Sequence, residues 1–111
     1  MDVSLKLFEE YLTERYKSWA TEHGLFMKLV EEMGEVAEIV NMRSGYKQST
    51  DADLQKELGN ELYDMLHYIV AIAAINDIDL ASILLEKDKI SSAKYGHNIN
   101  FEQYVTEKRN K

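Results

Sequence analysis

Apolar residues recur at intervals of three and four along most of the chain, and no stretch alternates with a period of two. This spacing is typical of amphipathic helices. No Pro and only five Gly interrupt it. The pattern predicts an all-α fold, a small bundle of four helices at about residues 4–21, 25–42, 53–75 and 80–95.

Turn and capping residues set the predicted boundaries. Gly24 is expected near the end of the first helix, where glycine is favoured just past the last turn. Asn76 to Asp79 should separate the third helix from the fourth. The polar stretch before the third helix offers three candidate N-caps, which are Ser49, Thr50 and Asp51.

The length of the chain, 111 residues, allows one domain, which we place at residues 1–111. Its helical core should span about residues 4–95. The remaining residues, 96–111, are mostly polar and suggest a tail anchored by Phe101, Tyr104 and Val105.

Charge and composition exclude several classes of function. Thirteen Lys and Arg against 20 Asp and Glu give a net charge of −7, whereas a nucleic-acid binder would show a basic surface. The absence of Cys excludes disulfides and thiolate metal sites. The longest apolar run, Ile69–Ile75, is far shorter than the roughly 20 residues that cross a bilayer, and no secretory signal precedes it. We expect a cytoplasmic protein without nucleic-acid or membrane partners.

The second and third helices carry acids beside their predicted core stripes. At about 100° per residue, Glu32 and Glu35 lie about 60° and 120° to one side of Leu29. Glu61 and Asp64 lie at the same angles from Leu58. The stripes consist of apolar residues expected to be buried, which are Phe26, Leu29, Met33, Val36, Ala37 and Val40 on one helix and Leu58, Leu62, Met65, Leu66, Ile69, Ile72 and Ala73 on the other.

A short loop joins these two helices, so they should pack antiparallel. That arrangement brings the four acids to one level at the rim of the core. Clustered carboxylates that lose solvation either take up protons or bind a cation. Oxygen ligands without Cys favour Mg²⁺, Mn²⁺ or Ca²⁺. The alternative is that these acids form an ordinary solvated helix face.

Two acidic segments together resemble a known family. Residues 31–35 read Glu-Glu-Met-Gly-Glu, and residues 61–64 read Glu-Leu-Tyr-Asp before a long apolar run. They match the EExxE…ExxD signature of the MazG-like all-α nucleoside triphosphate pyrophosphohydrolases, and the second segment is similar to the dCTP-pyrophosphatase branch. The resemblance covers about residues 15–95. It implies hydrolysis of dNTPs or NTPs to the monophosphate and pyrophosphate, with Mg²⁺ (or Mn²⁺ as a substitute) held by Glu32, Glu35, Glu61 and Asp64.

The reaction also needs a general base and contacts to the nucleotide. A carboxylate that does not ligate the metal, Glu35 or Glu31, would take the proton of the attacking water, although the helical arrangement points Glu31 away from the cleft. The resemblance assigns Trp19 to the base and Lys28, at the start of the first motif, to substrate binding. The other predicted substrate contacts are Asn41 and Tyr68 near the base or sugar, and Lys87, Ser91, Lys94 and Tyr95 on the phosphate-facing side of the fourth helix.

Apolar surface on the third helix further predicts assembly. Ala71, Ala74 and Ile75 extend beyond its stripe, and Tyr11 and Tyr63 are of a type enriched at interfaces. We expect a homo-oligomer, either a tetramer built as a dimer of dimers or a dimer, in line with the family. A different class of function stays open, namely a non-enzymatic helical module whose acidic face binds a basic partner.

Overall fold

The computed structural model describes residues 1–45 and 53–110, and within these ranges all regular structure is helical. The all-α class is therefore confirmed. The chain forms five helices there rather than four, which are α1 (Leu5–Tyr16), α2 (Glu22–Arg43), α3 (Leu54–Ile75), α4 (Leu80–Lys94) and α5 (Phe101–Arg109).

The boundary between α1 and α2 differs from the prediction. α1 ends at Tyr16, and Thr21 caps α2 by accepting a hydrogen bond from the Gly24 amide at 3.0 Å. The predicted role of Gly24 at the end of α1 is therefore wrong, because an extended threonine starts the second helix upstream of it. The residues in between form a turn that carries Trp19.

The start of α3 also departs from the prediction. The predicted caps Ser49, Thr50 and Asp51 lie outside the described residues. Asp53 is the N-cap instead, and its side chain accepts hydrogen bonds from the amides of Gln55 and Lys56 at 3.1 and 3.2 Å.

The segment predicted as a polar tail contains α5. Its start is a capping box in which Asn100 and Gln103 each accept a hydrogen bond from the other's amide, at 2.9 and 2.8 Å. The Phe101 amide donates to Asp88 on α4 at 2.6 Å. The polar composition concealed this helix, because it rests on caps and on α4 rather than on a broad apolar face.

The core lies between α1, the first turn of α2 and the second half of α3. Its buried members are Leu12, Tyr16, Leu25, Val70, Ala71 and Ala74. Ala71 and Ala74, predicted to lie beyond the core, are thus inside it, and Ile75 packs against it. The reason is that α1 packs on this side of α3.

Much of the predicted stripe is correspondingly exposed in the single chain. Met33 is 51% exposed, Leu62 49% and Leu66 48%. Phe26, Val40 and Ile69 are exposed as well. Their placement in the core of one chain is therefore wrong, because the helices that cover α2 and α3 leave this side open. We refer to these six residues as the apolar face of the α2–α3 hairpin.

The chain is extended for its length. Its radius of gyration is 17.2 Å, whereas a compact domain of this size has about 13 Å. α2 and α3 form the main antiparallel pair, α1 packs on α3, and α4 packs on α1 and α5. In the described ranges no helix alone has the length and apolarity to cross a membrane, and only α3 and α4 together, as a pair bent by 107°, meet that test.

The turn between α3 and α4 is attached to the α1–α2 turn. Asp77 adopts a left-handed conformation with φ of 56°, and its carboxylate forms an ion pair with Lys17. The Asn76 side-chain amide donates to Glu22 at 3.0 Å. Both flanks of the turn that holds Trp19 are thus connected to the carboxyl end of α3.

Candidate metal and nucleotide site

Three of the four predicted metal ligands meet between α2 and α3. Glu32, Glu61 and Asp64 are each half-buried, and each offers a carboxylate oxygen within 4.8 Å of the other two. The antiparallel pairing explains this convergence, because residues at the same distance from the connecting loop lie at one level.

The other two predicted acids differ from each other. Glu35 is exposed at the rim of the cluster, where hydrogen bonding to it is the largest cause that raises the pKa of Glu61. Glu31 lies outside the cluster and pairs with Lys28 at 3.4 Å, with both side chains 58% exposed. The structure therefore places Glu35, and not Glu31, beside the converging carboxylates.

The electrostatics of this cluster favour a cation. Hydrogen bonding to Glu35, together with burial and Glu32, raises the pKa of Glu61 to about 8. Burial is also the main cause that raises the pKa of Glu32. One oxygen of Glu32 and one of Glu61 are buried without a hydrogen-bond partner among the described residues. These orphaned oxygens and the all-carboxylate donor set fit a hard divalent ion such as Mg²⁺.

Without a divalent ion, we expect the protein to lose stability as the pH rises through the range between 4.5 and about 8. In that range folded Glu61 retains a proton that the unfolded chain has released, so raising the pH lowers the free energy of unfolding. Thermal melts in a chelating buffer at about pH 5 and about pH 9 should show a fall of at least roughly 5 °C, equivalent to about 1 kcal/mol. Glu61→Gln should flatten this dependence, and an equally steep fall in that variant would contradict the assignment.

An aromatic cleft of about 320 Å³ adjoins the carboxylates. The residues that line it are Tyr16, Trp19, Lys28 and Tyr68, together with Ala20, Thr21, Gly24 and Leu25. Trp19 is 69% exposed, and its ring lies 5.5 Å from that of Tyr16. Tyr68 lines the cleft one helical turn after Asp64 on α3, and burial is the main cause that raises its pKa.

The remaining predicted substrate residues do not join this cleft within one chain. Lys87, Ser91, Lys94 and Tyr95 line a separate cleft of about 490 Å³ on α4. Asn41 is exposed on the last turns of α2 and lines neither cleft. These four residues share one surface of α4 that lies apart from the acids of the same chain, and their contact with phosphate stays a prediction.

Sequence reasoning gave His67 no part in the site. The structure buries it, with its Nε2 atom 2.7 Å from the Tyr16 hydroxyl and its Nδ1 atom 3.1 Å from the Tyr63 hydroxyl. The spacing of Tyr63 and His67, four residues apart on a helix, was a visible signal. The contact with Tyr16 had none, because the two residues are 51 positions apart.

Comparisons with known proteins point to one family. The model of the MazG nucleotide pyrophosphohydrolase domain matches residues 20–94. The dCTP pyrophosphatase 1 proteins of Rattus norvegicus and Mus musculus are each 32% identical over 94 residues, which covers 81% of this chain and 55% of theirs. The chain thus spans about half the length of these relatives.

A solved structure gives the same result. The crystal structure of iMazG from Vibrio DAT 722 superimposes with a TM-score of 0.64 at 29% identity, covering 84% of this chain and 98% of that one. The family model alone matches well over half of the chain, and it includes all four acids that the sequence singled out. The predicted resemblance is confirmed, and the chain belongs to the MazG nucleotide pyrophosphohydrolase family.

Proposed function

We propose that the protein hydrolyses nucleoside triphosphates, preferentially dNTPs, to the monophosphate and pyrophosphate in a Mg²⁺-dependent reaction. Its role would be housecleaning, the removal of unwanted nucleotides from the cytoplasmic pool. One observation carries the proposal, namely that a half-buried carboxylate cluster with orphaned oxygens adjoins an aromatic cleft. A triphosphate brings its own negative charge to such a cluster, which requires a cation between them. The similarity to dCTP pyrophosphatases supports the same chemistry.

The acids have two proposed roles, metal binding and general-base catalysis. Glu32, Glu61 and Asp64 would hold Mg²⁺, with Glu35 as a further ligand or as the base. When bound, Mg²⁺ neutralises phosphate charge and lowers the pKa of a coordinated water. The exposed rim position of Glu35 suits it to accept the proton of the attacking water. Glu31 is the second candidate base; it precedes Glu32 directly in the chain and pairs with Lys28 outside the cluster.

The aromatic cleft would hold the nucleoside. Trp19 and Tyr16 present aromatic rings to a base. Any base can stack on such rings, whatever its pattern of hydrogen-bond donors and acceptors. Tyr68 stands between the base and the acids, at the level of the sugar, where its ring disfavours a 2′-hydroxyl. Lys28 lies at the side nearest the carboxylates and would contact a phosphate, and Asn41 would approach the nucleotide from the far end of α2.

Assembly would complete the site. The apolar face of the α2–α3 hairpin is exposed in one chain, and contiguous exposed apolar residues often mark interfaces. The predicted phosphate contacts on α4 lie apart from the acids of their own chain. They could bind a triphosphate only if it is held by the carboxylates of a neighbouring chain. These contacts are Lys87, Ser91, Lys94 and Tyr95. We propose a homo-oligomer, a tetramer built as a dimer of dimers or a dimer, in which α4 of one chain serves the site of another. The net charge of −7 argues against nucleic-acid and membrane partners.

Light scattering after size exclusion should give two or four times 12.9 kDa. Leu66→Glu, which places a charge on the apolar face, should shift the mass toward that of one chain and abolish most turnover. Leu7→Glu is the matched control, because Leu7 is 65% exposed on α1, outside this face. A wild-type mass near 12.9 kDa at micromolar concentration would contradict the proposed assembly.

The function is tested by phosphate release from a panel of dNTPs and NTPs, with inorganic pyrophosphatase added to split the product. We expect turnover with Mg²⁺ and none after chelation. Free phosphate should appear only when pyrophosphatase is added. This separates the reaction from simple phosphatase activity, which would release phosphate without it. Well-folded protein that turns over no nucleotide would overturn the proposal and favour the non-enzymatic acidic module.

A further inference from the structure

We propose that His67 is a positioning residue for the nucleotide cleft, and that its Nε2 atom holds the Tyr16 ring in the cleft wall. The inference rests on the function proposed above, because it gives His67 a part in binding the nucleotide. His67 itself lines neither the cleft nor the carboxylate cluster. Its effect must therefore pass through the residues that it contacts.

Two tyrosine hydroxyls enclose the imidazole. His67 is 8% exposed, and its ring nitrogens lie 2.7 Å from the Tyr16 hydroxyl and 3.1 Å from the Tyr63 hydroxyl. Burial lowers the pKa of His67, which keeps the ring neutral. A neutral imidazole accepts one hydrogen bond and donates the other, and each hydroxyl can take either part. Both nitrogens are thus occupied by tyrosines.

The same ring supports two walls of the cleft. It packs edge-on against Tyr16, with ring centres 5.5 Å apart and planes at 84°. It does so against Tyr68 as well, at 5.1 Å and 78°. Edge-to-face contacts of this kind are favourable and fix the relative orientation of the rings. The ring centre of Tyr16 in turn lies 5.5 Å from that of Trp19. A change in the orientation of His67 should therefore be passed through Tyr16 to Trp19 at the exposed edge of the cleft.

The two hydrogen bonds of His67 lead to different places. Tyr16 is 7% exposed and lines the cleft. Tyr63 is 51% exposed and packs against Phe8 of α1, at 6.4 Å between ring centres, outside the cleft. If positioning is the role of His67, loss of the Nε2 bond should weaken nucleotide binding, whereas loss of the Nδ1 bond should leave it intact.

Two pairs of variants separate these bonds. His67→Asn places its amide near the position of Nδ1 and releases Tyr16, whereas His67→Gln reaches the position of Nε2 and keeps Tyr16. Tyr16→Phe and Tyr63→Phe remove the two hydroxyls in turn. On the best dNTP of the panel, we expect His67→Asn and Tyr16→Phe to raise KM about tenfold with kcat changed by less than about twofold. His67→Gln should restore most of the affinity, and Tyr63→Phe should match the wild type.

Trp19 supplies a second measurement, because it is the single tryptophan of the chain. Its emission in nucleotide-free protein should change in His67→Asn and Tyr16→Phe and stay as in the wild type in Tyr63→Phe. If the wild type hydrolyses no nucleotide, the proposed function fails and this emission alone decides the role of His67. Equal effects of His67→Asn and His67→Gln on KM and emission, or KM changes that merely follow the melting temperatures, would overturn the inference.

Discussion

Glu61→Gln and Asp64→Asn are each expected to lower kcat about 10³-fold, equivalent to ~4 kcal/mol of transition-state stabilisation. Each change keeps the size of the side chain and removes one negative oxygen donor from the cluster. Loss of that donor weakens the hold on Mg²⁺ and misplaces the water that attacks the triphosphate. Initial rates over a range of Mg²⁺ concentrations would measure the loss and show how far excess ion restores it.

The same variants should be at least as stable as the wild type when no divalent ion is present. The amide removes a like-charge repulsion that only a proton or a cation offsets. Added Mg²⁺ should raise the melting temperature of the wild type by mass action and raise that of the variants much less. Glu57→Gln is the matched control, since Glu57 is exposed one helical turn before Glu61. Full turnover in either cluster variant would show that its residue is not a ligand.

Leu12→Ala should destabilise the protein by roughly 3 kcal/mol, because it leaves a cavity where a fully buried side chain joins α1 to α3. The melting temperature should fall by roughly 10–20 °C. Leu7→Ala makes the same change at an exposed position of the same helix and should cost less than about 0.5 kcal/mol. Differential scanning calorimetry at one protein concentration compares the two variants. Equal losses in both would mean that α1 does not dock through Leu12.

The carboxylates were predictable because their positions depend on local regularities. Helical periodicity fixes the angle of Glu32 relative to its stripe, and an antiparallel hairpin fixes its level relative to Glu61 and Asp64. Those two rules, with the motif spacing, were enough to bring three acids together. Glu35 has the same predicted angle from its stripe as Asp64, yet it is exposed at the rim, so helical angle alone did not separate these two acids.

The burial pattern was harder to predict, because periodicity marks an apolar stripe without naming what covers it. On α3 the stripe with Leu62 and Leu66 was assigned to the core, whereas α1 covers the side with Val70 and Ala71 instead. Small alanines allow α1 to approach closely there, and long-range packing of that kind leaves no local trace in the sequence. The helix α5 was missed because its residues are mostly polar, although Asn100 and Gln103 form a local capping box at its start.

The turn at residues 17–21 is attached on both flanks to the carboxyl end of α3, through Lys17 with Asp77 and through Glu22 with Asn76. The acidic cluster takes its geometry from a different part of the hairpin. The turn and the acidic cluster share no residue. The effects on stability and turnover of substitutions in the turn should therefore add to the effects of substitutions in the cluster. In the proposed enzyme, nucleotide preference can therefore diverge through the turn over evolutionary time while the hydrolytic chemistry is inherited unchanged.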